Sequence, residues 1–333
     1  MKADCHSAGG FAGVLVAKLH QLAQSEYLVL LLSGTYFLAL LPCTPGFASP
    51  DNLANILATL LPLFIVAMGQ TIVLITGGID LSVTSIIALT SVTGAAVMSG
   101  DHGWLAGSPL AVPAGILAML AVGALVGVFN GVAVTQFKMP PFIVTLTSMM
   151  FFSGLAIWLT KSKNIGSLPA VFNAIGGKTG LAFTVAAMLG LAAHAMLSRS
   201  LWGRWLYAVG HNARAADISG VPVNGVIVSA YVVSGVFAAV ASVLYTGQAE
   251  SGSPVLAQRL LLDIVGATVI GGTSLFGGRG KLLWTLFGVL FLKLIDNSLN
   301  LLDLSYFTIM MVKGAVILFA AVMDSARTRA GAK

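Results

Sequence analysis

Charge is what this 333-residue chain has least of: Asp, Glu, Lys and Arg together make up 8% of it, against 57% hydrophobic residues. A soluble chain of this length carries roughly a quarter of its residues charged, so a water-soluble enzyme is excluded. Cysteine is almost missing too, and the two present, Cys5 and Cys43, can build neither a disulfide framework nor a thiolate metal site. No GxxxxGK[ST], HExxH, metal-spaced Cys/His cluster or nucleophile elbow occurs. Gly277-Gly278-Arg279-Gly280-Lys281 comes nearest to a phosphate loop, but Leu282 and Leu283 stand where magnesium needs a hydroxyl. The chain is therefore expected to hydrolyse no nucleotide and to need no cofactor or metal. Its net charge of +6 is dispersed and forms no basic stripe, so nucleic acid is not an expected partner.

What is abundant is apolar sequence, in ten stretches: 28–41, 55–75, 81–98, 110–134, 142–160, 181–197, 226–246, 260–270, 282–299 and 307–323. Most approach the ~20 residues that cross a bilayer, so the expected fold is all-α and polytopic, with about ten transmembrane helices. The stretches at 81–98, diluted by Ser and Thr, and 260–270, which is short, read as broken or re-entrant segments lined by protein. A cytoplasmic N-terminal segment (1–25), one membrane domain (26–324) and a cytoplasmic tail (325–333) follow. The first 25 residues lack the pattern of a cleaved signal, so 28–41 reads as a retained first span. With ten crossings, Lys2, Lys18, Lys138, Arg199, Arg204, Arg214, Arg279, Lys281, Arg327, Arg329 and Lys333 fall inside. Lys161, Lys163 and Lys178 fall outside, with Arg259 near that boundary. This asymmetry puts both termini in the cytoplasm and separates Cys5 from Cys43.

The inside segment 199–223 mixes Arg199, Arg204, His211, Asn212, Arg214 and Asp217 with Trp202, Trp205, Leu206, Tyr207, Val209 and Ile218, ending at Gly220 and Pro222. A plain connection needs only a few polar residues. Docking of a cytoplasmic partner and aromatic anchoring at the interface both remain open from the pattern. Gly77-Gly78 and Gly271-Gly272 lie near inside ends of spans and suit turns or broken helices.

Ionisable residues inside spans are expensive and face protein or water. Asp80 precedes an apolar stretch and suits capping of its first turn, with proton or cation coupling as the functional alternative. Ser82 and its neighbouring hydroxyls can line a polar path or bond across helices. Asp263 stands four residues from Arg259, the spacing of a helical ion pair. Asp296, Asn297, Asn300 and Asp303 make a polar outer half-helix facing a cavity, a neighbouring subunit or water; Lys293 lies in the same span and Lys313 in the last one. Gly123, Gly127 and Gly131, at four-residue spacing, permit close helix contact.

Four blocks carry a resemblance: TGGIDLSVTSIIALTSV at 76–92, MPPFIVTLTSMMFFSGLAIWLT at 139–160, LWGRWLYAVGHNARAADISGVPV at 201–223 and VIGGTSLFGGRGKLLWTLFGVLFL at 269–292. In this order, across roughly residues 50–324, the chain resembles the permeases of bacterial sugar ABC importers, the ribose, xylose and galactose type. The resemblance implies an inner-membrane permease, homodimeric or pseudo-dimeric, with cytoplasmic ABC ATPase subunits and a periplasmic sugar-binding protein, that moves a monosaccharide or related sugar. It also implies that Arg204, Tyr207, Gly210, Asn212, Ala215, Ala216, Ser219 and Gly220 couple the permease to the ATPases, with His211-Asn212 where Gly-Asn is common. Asp80, Ser82, Asn130, Asp263 and Asn297 are left as pathway or packing residues. An ion-coupled secondary transporter using Asp80, Asp263 or Asp296 is the alternative, and a membrane scaffold is the third reading.

Overall fold

The computed structural model describes residues 27–101 and 103–330, with side chains to 322. The expected segment 1–25 with Cys5, and residues 331–333 of the tail, lie outside the described residues; Cys43 is a free, exposed thiol. Apart from an isolated bridge between Ile165 and Gly252, the regular structure is helical. In chain order the helices are α1 (Leu28–Leu40), α2 (Pro50–Ile75), α3 (Val83–Met98), α4 (Ala111–Gln136), α5 (Pro141–Thr160), α6 (Ala170–Gly177) and α7 (Thr179–Arg199). There follow α8 (Leu201–His211), α9 (Ala213–Ile218), α10 (Val223–Ala249), a 3₁₀ turn (Gln258–Leu260), α11 (Leu261–Ile270), α12 (Leu282–Leu301) and α13 (Tyr306–Ala330).

The all-α, multi-pass reading holds, but the count of about ten spans does not. Among the described residues six helices are long and apolar enough to cross a membrane: α2, α4, α5, α7, α10 and α12. Helix α1 has 13 residues, α3 has 16 and α11 has 10, which at ~1.5 Å per residue fall short of a ~30 Å hydrocarbon core. The apolar stretches 28–41, 81–98 and 260–270 are themselves short, and the helices on them are slightly shorter still. The Asp80 turn delays α3 to Val83, and Gly271 caps α11.

Helices α2 and α10 form the centre. Every residue of α2 from Leu60 to Ile75 is buried, enclosed by α7, α10, α11 and α12. Ser49 starts this helix, its hydroxyl accepting from Asn52 N at 3.3 Å, and Pro50 occupies the first turn, where a missing N–H costs nothing. Helix α10 packs most extensively on α4. There the expected small-residue seam is real: a methyl group on Gly127 would lie 2.5 Å from the Tyr231 carbonyl oxygen. By contrast, α5 and α7 are mostly exposed apolar surface, as helices facing lipid must be.

Candidate functional site: the α8–α9 elbow and the polar networks behind it

Two side chains cut the 199–223 segment into an elbow. Ser200 accepts a hydrogen bond from Gly203 N at 3.0 Å and caps α8, and Asn212 Oδ1 accepts from Ala215 N at 3.0 Å and caps α9. Asn212 is extended, with φ −161°, so the two short helices cannot merge. At the far end Ser219 Oγ donates to Ala215 O at 2.8 Å, and Gly220 turns the chain toward α10 with φ +82°. Ala216 is buried; Arg204, Arg214 and Ala215 are exposed. Trp202 and Trp205 are half-buried, and Trp202 donates to Ser229 Oγ on α10 at 2.7 Å.

The elbow grips the end of the central helix. Gly210 packs so closely on the Ile75 carbonyl and Gly278 N that a side-chain carbon there has no room. Gly278 N in turn donates to Ile75 O at 2.9 Å. Tyr207 Oη donates to Gly280 O at 2.7 Å, and burial pushes its hydroxyl above the ordinary tyrosine value, so it stays a donor. The turn that α8 meets is built on Gly277 and Gly278, with φ of +86° and +71°. Sequence reasoning singled out Gly77-Gly78 and Gly271-Gly272. The pair brought together is Gly77 with Gly277, whose added methyl would lie 2.9 Å from Gly77 Cα.

Of the five polar residues singled out, three converge. Asp80 is fully buried; its Oδ1 accepts from Ser82 N at 3.0 Å and Ser82 Oγ at 2.6 Å, and its Oδ2 accepts from Ser234 Oγ at 2.8 Å. Asn130 Nδ2 donates to Ser82 Oγ at 2.8 Å, and Ser148 Oγ donates to Asn130 Oδ1 at 2.5 Å. This one network ties the α2–α3 turn to α4, α5 and α10. Tyr231 and Thr145 add hydroxyls to the Ile79 carbonyl at 3.3 and 3.2 Å. Ser148 and Ser234 were missed because isolated serines in apolar helices carry no signal of their partner.

The other two lie elsewhere. Asn297 is spent in a reciprocal amide pair with Asn52, both bonds 2.8 Å. Asp263 does not pair with Arg259. Its Oδ2 takes Lys313 Nζ at 2.9 Å, while Arg259 stacks over the Tyr306 ring, 4.8 Å from its centre. The 3₁₀ turn Gln258–Leu260 explains the change, because its tighter winding removes the i,i+4 alignment. Lys313 also holds Asp296 Oδ1 at 3.1 Å, with Lys293 3.8 Å from the other oxygen. Two lysines and two aspartates thus form a neutral cluster joining α11, α12 and α13. Among the described residues no group of His, Cys, Asp and Glu could hold a metal ion.

A family model described as branched-chain amino acid transport system / permease component matches residues 52–321. The chain belongs to this permease family. The permease is 38% identical over 287 residues to the ribose import permease protein RbsC of Bacillus subtilis, covering 84% of this chain and 86% of that one. It is 35% identical to the Escherichia coli K12 ribose import permease protein RbsC, covering 85% and 88%. It is 33% identical to the fructose import permease protein FrcC of Rhizobium meliloti, covering 84% and 79%. No solved structure matches. The chain is the permease component of an ABC-type importer, a multi-pass membrane subunit without an ATPase motif of its own. Membership implies ABC ATPase and binding-protein partners.

Proposed function

We propose that this permease imports a monosaccharide or related sugar across the bacterial inner membrane, with ATP hydrolysed by ATPase subunits docked on the α8–α9 elbow. The family description mentions branched-chain amino acids, whereas the relatives that align over most of the chain are ribose and fructose permeases. The pairwise likeness is the narrower comparison, and it favours sugar. A periplasmic binding protein delivers the sugar to a pathway formed with a second copy of this chain. Arg199, Arg204, Arg214, Arg279 and Lys281 gather around the elbow and its neighbouring turn, which by the bias of positive charge makes this end cytoplasmic. By the same bias, Lys2, Lys18, Arg327 and Arg329 favour both termini on that side.

The observation that carries the coupling role is the grip of α8 on the end of α2. Arg204 and Ala215 face outward for the partner; Tyr207 and Gly210 face inward, to Gly280 and Ile75. Asn212 sets the bend between the two helices, Ala216 is buried beneath α9, and Ser219 and Gly220 close α9 and turn the chain into α10. A displacement of the elbow by the ATPases therefore reaches the central helix and the 271–281 turn without passing through a flexible linker. ATP binding and hydrolysis select between two packings of the bundle. An ion-coupled carrier is the weaker reading, since its carboxylates are committed: Asp80 to Ser82 and Ser234, Asp263 and Asp296 to Lys313.

Uptake of radiolabelled sugars into proteoliposomes tests this, using the chain with its cognate ATPase and binding protein. Uptake is expected to need both partners and ATP, and to fall at least about tenfold in an Arg204→Ala, Asn212→Ala variant that still inserts, since exposed arginine is a frequent hot spot. Flux by the chain alone under an ion gradient would overturn the proposal, and branched-chain amino acid flux would overturn its substrate class.

A further inference from the structure

We propose that the turn 274–281 is a second contact for the ATPase, with Phe276 as its anchor and Arg279 as its charged flank. This rests on the reading of α8–α9 as the docking elbow and extends that surface to a segment over fifty residues away in sequence. Phe276 is 67% exposed, yet the backbone beneath it is fixed. Ser274 N donates to Arg279 O at 3.0 Å, Phe276 N to Ser274 Oγ at 3.2 Å, and Gly278 N to Ile75 O at 2.9 Å. Ser274 and Gly278 themselves are buried. An aromatic ring displayed on a turn this constrained loses little freedom on binding, which is how a rigid anchor gains affinity.

The turn and the elbow share one surface. Gly210 and His211 line one wall of a cleft of about 190 Å³, and Ser274, Phe276, Gly277 and Arg279 line the other. A partner seated on the end of α8 therefore faces this turn across the cleft. Charge selects the same partner chemistry: Arg204, Arg214 and Arg279 are exposed, and among the described residues none of them makes an ion pair. The matching ATPase face carries an apolar slot for Phe276 with acidic residues at its rim. Aromatic and arginine side chains are the types that dominate such contacts.

Affinity of the cognate ATPase for the permease in nanodiscs tests the inference, with Phe276→Ala, Arg279→Glu and, for the elbow, Arg204→Glu, each checked for unchanged thermal unfolding. The expected result is a Kd raised about tenfold by Phe276→Ala, with a rise from each arginine reversal. A Kd within twofold of wild type for Phe276→Ala and Arg279→Glu, beside a weakened Arg204→Glu, overturns the second contact and leaves the elbow standing. No change in any of the three overturns both readings. A bimane probe at Phe276→Cys, with Cys5 and Cys43 replaced by serine, separates partner from membrane. Emission that shifts when ATPase is added supports the contact. Emission already quenched by brominated lipid and unmoved by ATPase overturns it in favour of a headgroup anchor.

Discussion

A methyl group on Gly210 would meet the Ile75 carbonyl and Gly278 N, both backbone, so neither neighbour can swing aside. Gly210→Ala is therefore expected to cost about 1–3 kcal/mol and to abolish the rise in ATPase activity that the binding protein causes. Gly225→Ala, with nothing within 4 Å, should leave both measurements unchanged. Tyr207→Phe removes only the bond to Gly280 O. Its expected signature is a permease that still binds its ATPase but transports less per ATP, with a stability loss of about 1 kcal/mol. Asp80 makes the third case. Asp80→Ala strands the donors of Ser82 and Ser234, at about 1–3 kcal/mol for each group left unpaired. Asp80→Asn keeps an acceptor for Ser82, so thermal unfolding of the two variants in detergent should rank wild type, Asn, then Ala.

At the scale of elements, α11 and α13 depend on one lysine. Lys313 is mostly buried and faces two carboxylates on two helices. Lys313→Met leaves the cluster with a net negative charge, and breaking a buried pair from one side costs about 3–5 kcal/mol. The expected outcome is loss of α13 docking, read as faster thiol labelling at Val316→Cys and Ile317→Cys, which pack on the core beside α11. Adding Asp263→Asn to Lys313→Met should recover most of the loss, because it removes the stranded charge. The helices of the elbow behave differently: they are short, and their ends are set by Ser200 and Asn212 rather than by a charge cluster. Both caps are legible in the sequence as polar residues ahead of helix-forming runs. The Lys313 partnership is not legible, because fifty residues separate it from Asp263 and the nearer Arg259 offered a pairing of equal chemistry.

For the whole molecule, the order of packing follows from where the apolar and small residues run out. From Leu60 onward helix α2 is buried on all sides and sits at the centre; α5 and α7 carry their apolar surface outward. The elbow joins this centre at a glycine-built junction, packed backbone to backbone on the end of α2. The expectation of about ten spans counts every apolar stretch as a crossing, including those too short to make one. The Asp80–Ser82 turn and the 3₁₀ turn Gln258–Leu260 each stand at the start of a short helix, α3 and α11.

The sequence by itself determined the class: membrane-embedded, all-helical, with a basic and aromatic segment at 199–223 and family blocks in order. These are properties of composition and local pattern, which survive without knowledge of contacts. Only the tertiary structure decided that Asp80, Ser82 and Asn130 share one network while Asn297 is used up by Asn52. It alone showed which helices are long enough to cross, and that Gly210 meets Ile75 and Gly278. The reason is that a buried polar group must find a partner, and in a helical bundle that partner sits on another helix at a sequence distance no local pattern encodes.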